Sequence, residues 1–144
     1  MPNKKLEARS LEVSLTVSDI TRSMRLYIDG LGFEVAEKHD HHGQLIAVLL
    51  KASDVRLLLS QDSFEKGRDR IKGLGVRLYL HTDQDLGELA GQAKAAGMTV
   101  DRELGQLPWG PMGFTVTDPD GYQLAFESLT DIPEDTQYSE SSAV

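Results

Sequence analysis

The chain predicts an α+β fold: two βαβββ modules forming a single domain with an open cleft, their mixed β-sheets covered by helices on the outer face. Three observations carry this. The order strand, helix, strand, strand, strand occurs twice at matching offsets, with Val13 to Leu78 spanning 65 residues, Asp19 to Asp85 spanning 66 and Leu58 to Ala125 spanning 67. A unit this long, present in only two copies in 144 residues, is a duplicated half-domain rather than a solenoid repeat. Each copy also opens on period-two alternation, followed by an aspartate and then apolar residues at helical spacing.

Module one covers residues 9–60. Val13, Leu15 and Val17 alternate with Glu12, Ser14 and Thr16, the pattern of a half-buried strand. Asp19 is the N-cap of a helix that sets Ile20, Met24, Tyr27, Ile28 and Leu31 on one side and ends at Gly30 and Gly32. Strands are expected at 33–38, 45–52 and 55–60, joined by turns at His39-Asp40-His41-His42-Gly43 and Ala52-Ser53-Asp54. Residues 61–73 are charged and lack alternation, so they read as the connection between modules.

Module two covers residues 74–129. A strand at 76–82 leads to a helix from Asp85 to Gly97 with Leu86, Leu89, Ala90, Ala93 and Ala96 inward. Strands follow near 98–102, 113–117 and 122–128. The Asp118-Pro119-Asp120-Gly121 segment is a turn, since proline fixes φ and glycine supplies a positive one. Residues 130–144 hold Asp131, Glu134, Asp135 and Glu140 and no Lys or Arg, which is −4 of the net −8. They are expected to form a mobile acidic tail.

A chain of 144 residues is sized for one domain that buries roughly two-thirds of its unfolded surface. It has no cysteine, which excludes disulfides, thiolate metal sites and cysteine nucleophiles and fits a cytoplasmic setting. No apolar run is long enough to span a bilayer. Met1-Pro2-Asn3-Lys4-Lys5 is not followed by an apolar region, so a secretory leader is not expected. A net charge of −8 with no compensating basic stripe argues against a nucleic-acid partner, and no membrane partner is expected.

Two segments carry a resemblance. Leu15-Thr16-Val17-Ser18-Asp19-Ile20 with Ser23-Met24, Tyr27 and Leu31-Gly32-Phe33 resembles the N-terminal half of the vicinal oxygen chelate superfamily. Pro108-Trp109-Gly110 with Phe114-Thr115-Val116-Thr117-Asp118-Pro119-Asp120-Gly121-Tyr122 resembles its C-terminal half. Glyoxalase I, bleomycin-resistance proteins, fosfomycin-resistance enzymes and extradiol dioxygenases belong to that superfamily. The resemblance implies paired βαβββ modules, a domain-swapped or edge-joined homodimer, and four metal-ligand positions occupied by His, Glu or Gln in metal-dependent members. Those positions fall here on Glu12, Leu58, Arg77 and Ala125, the third slipping to Val76 if the following loop is one residue longer.

Alternation decides that slip. Val76, Leu78 and Leu80 form an apolar row for the helix, which leaves Arg77, Tyr79 and His81 to the cleft. The same rule assigns Glu12, Ser14 and Thr16, then Arg56, Leu58 and Ser60, then Gln123, Ala125 and Glu127. Leu58 and Ala125 donate nothing to an ion and Arg77 repels one, so no metal and no cofactor are expected. Glu12 and Arg77 are expected to form an ion pair in place of the metal. His39, His41 and His42 read as a solvated turn rather than a zinc site. His81 is a candidate base that lacks a named carboxylate partner, and Trp109 in its Pro-Trp-Gly-Pro loop is a candidate lid over a planar ligand.

These residues imply a metal-free small-molecule-binding protein of bleomycin-resistance type. It would sequester a small, partly aromatic or anionic ligand through Glu12, Arg56, Leu58, Arg77, Tyr79, Trp109 and Gln123. Two enzyme readings stand beside it: a metal-dependent lyase or dioxygenase of the glyoxalase or extradiol class, and a metal-independent isomerase using Glu12 or His81. Neither the ligand nor the form of the dimer is legible in the chain.

Overall fold

Aspartates open both helices. In the computed structural model, which describes residues 3–129, the Asp19 side chain accepts the backbone N–H of Arg22 and the Asp85 side chain accepts that of Glu88. Each thereby satisfies one of the unpaired donors of a first helical turn. The elements run β1 (Glu12–Val17), α1 (Ile20–Arg25, continuing as a π-helical turn over Leu26–Gly30), β2 (Glu34–His41), β3 (Gln44–Ala52) and β4 (Val55–Gln61). Module two repeats them as β5 (Arg77–Thr82), α2 (Leu86–Ala95), β6 (Thr99–Gln106), β7 (Met112–Thr117) and β8 (Gln123–Ser128).

Each module is a four-stranded mixed sheet, ordered β1-β4-β3-β2 in the first and β5-β8-β7-β6 in the second. The first and last strands of each module pair in parallel and the rest antiparallel. β1 and β5 are therefore sheet edges. α1 packs on β3 and β4, α2 packs on β6, β7 and β8, and the π-helical turn touches α2. One continuous core results, with Leu15, Val17, Tyr27, Leu50, Leu59, Phe114, Val116 and Leu124 almost fully buried.

The modules are clamped by the turn that ends β7. Asp118 is 4 % exposed. Its Oδ2 accepts the Tyr27 hydroxyl at 2.8 Å, and its Oδ1 accepts the backbone N–H of Asp120 and of Tyr122 at 2.9 Å each. Burial raises the pKa of Asp118, and burial together with the charge of Asp118 raises that of Tyr27 well above its ordinary value. Asp120 accepts from the backbone and hydroxyl of Ser18, and the Tyr122 hydroxyl donates to the Thr16 carbonyl at 2.9 Å.

Two strands run further than the sequence expectations. β2 runs to His41, so the hairpin turn is only His42-Gly43, both at positive φ (50° and 79°), the geometry that suits a tight two-residue hairpin. β6 extends to Gln106 through two register shifts. The connection is pinned by Asp62, which lies 3.1 Å from Lys72 Nζ and 3.2 Å from Arg70 Nη2, with the Lys72 side chain 3 % exposed. The tail expected at 130–144 lies outside the described residues. Among the described residues, no helix is long and apolar enough to cross a membrane.

Candidate functional site

The open face of the module-two sheet is laid out in three rows by strand register. Arg77 on β5 lies beside Gln123 on β8, which faces Thr117 on β7. One pleat further, Tyr79 lies beside Ala125, which faces Thr115, with Arg102 of β6 next in line. Beyond that, His81 lies beside Glu127, which faces Gly113. A cavity of about 520 Å³ sits over the first two rows, lined by Arg77, Tyr79, Asp101, Arg102, Trp109, Thr115, Gln123, Leu124 and Ala125. Arg77 faces this cavity, while Val76, Leu78 and Leu80 pack against the core.

Trp109 forms one wall. Its loop is closed by backbone hydrogen bonds from Leu107 to the Pro111 carbonyl and from Gly110 to that of Leu107. The indole stands edge-on to Tyr79, with ring centroids 5.9 Å apart at 89°. Its N–H donates to Glu127 Oε2. Gly113 leaves the room for this loop: a Cβ there would lie 2.3 Å from the Phe126 carbonyl oxygen and 2.8 Å from Leu107.

Charge in the cavity is cationic. Neither Arg77 nor Arg102 forms an ion pair among the described residues, whereas Asp101 accepts the Thr117 hydroxyl. Two free guanidiniums beside two aromatic rings are suited to a carboxylate-bearing planar molecule. Cavities of a few hundred cubic ångströms are the usual size for small-molecule sites.

Glu12, Arg56 and Leu58 are not brought to this cavity. They lie on the first sheet, where Glu12 sits beside Arg56 in register, and the cavity is lined by module two alone. The expectation of a Glu12–Arg77 ion pair is corrected accordingly: no such pair forms among the described residues. The reason is topological. The modules meet through the π-helical turn, α2 and the Asp118–Tyr122 turn rather than along the β1 and β5 edges.

The metal-ligand positions do not fit an ion. Glu12, Leu58, Arg77 and Ala125 supply one carboxylate, two aliphatic groups and a permanent cation, where a divalent ion needs three or more oxygen or nitrogen donors. Among the described residues, no group of three or more His, Asp or Glu side chains is gathered to hold one. His39 lies 3.4 Å from Glu37 with both side chains more than half exposed, and the His41 and His42 rings touch edge-on at 4.1 Å.

One cationic residue of the cavity and one contact beside it escaped the sequence reading. Arg102 reaches the cavity because the shifts flanking it in β6 break simple alternation. Glu127 was placed on the cleft face, but its contact 2.9 Å from His81 Nε2 depends on a strand pairing that alternation does not specify.

A family model described as the Glyoxalase/Bleomycin resistance protein/Dioxygenase superfamily matches residues 9–126. No curated protein matches the chain by sequence. Among solved structures, TioX from Micromonospora sp. ML1 is 18 % identical with a TM-score of 0.68, covering 84 % of this chain and 98 % of its own. A glyoxalase-related enzyme from Fulvimarina pelagi is 18 % identical with a TM-score of 0.69, covering 93 % and 98 %. A glyoxalase I variant from Zea mays is 24 % identical with a TM-score of 0.68, covering 83 % of this chain and 44 % of its own. At these identities the likeness is one of fold.

Proposed function

We propose that this chain, which belongs to the Glyoxalase/Bleomycin resistance protein/Dioxygenase superfamily, is a metal-free binding protein for a small, anionic, partly aromatic molecule. The observation that carries the reading is the pair of unpaired guanidiniums, Arg77 and Arg102, in one cavity with Tyr79 and Trp109. A carboxylate set against a guanidinium makes two parallel charge-assisted hydrogen bonds, and the rings of Tyr79 and Trp109 supply apolar area for the remainder. The cavity is a local cationic point on a protein of net charge −8. No nucleic-acid or membrane partner is part of the proposal, and the cysteine-free composition suits a cytoplasmic setting.

The same proposal includes a symmetric homodimer. β1 and β5 are unpaired edges, Tyr79 is 44 % exposed, and Leu74 ahead of β5 is 81 % exposed. A second copy offering its module-one face, with Glu12, Arg56 and Leu58, would cover the cavity that module two leaves open. Light scattering at micromolar concentration is expected to return the dimer mass, and a monomer contradicts this part.

The binding reading is tested by calorimetric titration of cinnamate, an aromatic carboxylate, into protein dialysed against a chelator. Saturable binding is expected, weakened by Arg77→Met and by Arg102→Met. Absence of binding at millimolar cinnamate, or binding that both variants leave unchanged, overturns it.

A further inference from the structure

The third row of the module-two sheet holds a buried carboxylate that the binding role above does not use. Glu127 is 1 % exposed. Its Oε2 accepts the Trp109 indole N–H, and its Oε1 lies 2.9 Å from His81 Nε2. No donor among the described residues, His81 included, meets hydrogen-bond geometry at Oε1, which leaves this buried oxygen unpaired. A buried carboxylate oxygen requires a donor, and His81 Nε2, 2.9 Å away, is the group that a turn of its ring would bring to it as an N–H. In the neutral ring this leaves the lone pair on Nδ1. The His81 side chain is 38 % exposed, and with Nε2 beside Glu127 its Nδ1 is the ring nitrogen left for a ligand.

We propose that His81 and Glu127 are a proton-accepting pair at the Trp109 end of the cleft, serving an acidic hydroxyl, a phenol or enol, on the bound molecule. The inference rests on the binding reading above and adds a second functional group to the ligand. His81 and Arg77 are four residues apart on β5, about 13 Å along the strand. The reach of the arginine and a single aromatic ring with a short unsaturated spacer bridge that distance. The ring then lies over Ala125 beside Tyr79 and Trp109.

The step balances within the site. The ligand O–H bond breaks, its electron pair stays on oxygen, and the proton forms an N–H bond at His81 Nδ1. The resulting imidazolium has the Glu127 carboxylate 2.9 Å from its Nε2, which holds the orientation of the ring. Glu127 touches no ligand and is a positioning residue. It also fixes Trp109, so one buried anion orients both the base and the neighbouring wall of the cavity.

The probes are 4-hydroxycinnamate and cinnamate, which differ only in the phenolic hydroxyl. Wild-type protein is expected to bind the hydroxylated probe about tenfold tighter. Bound 4-hydroxycinnamate is expected to show the long-wavelength absorbance of its phenolate at neutral pH, where the free probe is a phenol. His81→Gln keeps an amide donor for Glu127 but has no base. It should bind cinnamate as the wild type does and lose both the hydroxyl preference and the phenolate band. Glu127→Gln should weaken the band without abolishing cinnamate binding. Equal affinities and no band in the wild type, with Arg77→Met still weakening cinnamate, overturn the pair and leave the cleft reading intact. A band that survives in His81→Gln also overturns it. Failure of both probes to bind the wild type overturns the cleft reading and this inference with it.

Discussion

Tyr27→Phe tests the clamp that sets how the two modules meet. The Tyr27 ring is fully buried, and its hydroxyl donates at 2.8 Å to Asp118 Oδ2, a carboxylate that is itself 4 % exposed. Phenylalanine keeps the ring and its packing and removes only that donor. The other two donors to Asp118 are backbone groups on Oδ1, so Oδ2 is left with no replacement among the hydrogen bonds of the described residues. A hydrogen bond to a charged group contributes about 1.5–3 kcal/mol, so the expected loss is about 2 kcal/mol. In a domain of this size that corresponds to a fall in Tm of roughly 8 °C. Urea denaturation followed by the fluorescence of Trp109, the single tryptophan, measures it directly. The loss should shrink in acid. Because burial raises the folded pKa of Asp118, protonation is favoured in the folded state as pH falls through that pKa. The hydroxyl then faces a neutral partner. A loss below about 0.5 kcal/mol at neutral pH would refute the account of the clamp.

Three further outcomes follow from particular contacts. Hydrogen bonding to the Phe64 backbone, with Lys72 and Arg70 alongside, lowers the pKa of Asp62 to about 2. A depressed carboxylate stabilises the fold above its unfolded pKa of about 4 and loses that contribution as pH falls toward 2, so Asp62→Asn should flatten the acid limb of a Tm-against-pH curve in that window. Gly113→Ala would place a methyl 2.3 Å from the Phe126 backbone oxygen and should destabilise the protein by about 3 kcal/mol or abolish soluble expression, read by circular dichroism and yield. Arg77→Met removes a guanidinium with no ion-pair partner in the described chain, so it should weaken cinnamate roughly ten- to hundredfold in calorimetry while leaving the circular dichroism spectrum unchanged.

Much of the scaffold was legible because it rests on local chemistry. The alternation at 76–82 put Arg77 and Tyr79 on one face and Leu78 and Leu80 on the other, and the structure has them so. Asp19 and Asp85 cap helices because an aspartate before an amphipathic run has little else to do there. What escaped was pairing at a distance. Alternation assigns a face but not a neighbour, so His81 lacked its carboxylate until the parallel register of β5 and β8 set it beside Glu127. Arg102 was hidden by register shifts that no period-two count anticipates. Asp118 read as a turn residue, although its carboxylate also holds a helix of the other module. Glu12 and Arg77 hold equivalent places in the duplication, yet equivalence within two copies does not say which edges meet. The separation of their sheets follows from contacts between π-helical turn, α2 and the Asp118–Tyr122 turn.

The central claim is that arginine and aromatic side chains, with no ion, hold the ligand. Native mass spectrometry of chelator-dialysed protein titrated with cinnamate tests it most directly, since one spectrum reports metal content, oligomeric mass and occupancy together. The account predicts a metal-free dimer that takes up one cinnamate per chain, with occupancy unchanged when zinc, nickel, iron or manganese is added. Occupancy that appears only after one of those ions is restored, with the mass of the ion in the complex, would contradict it.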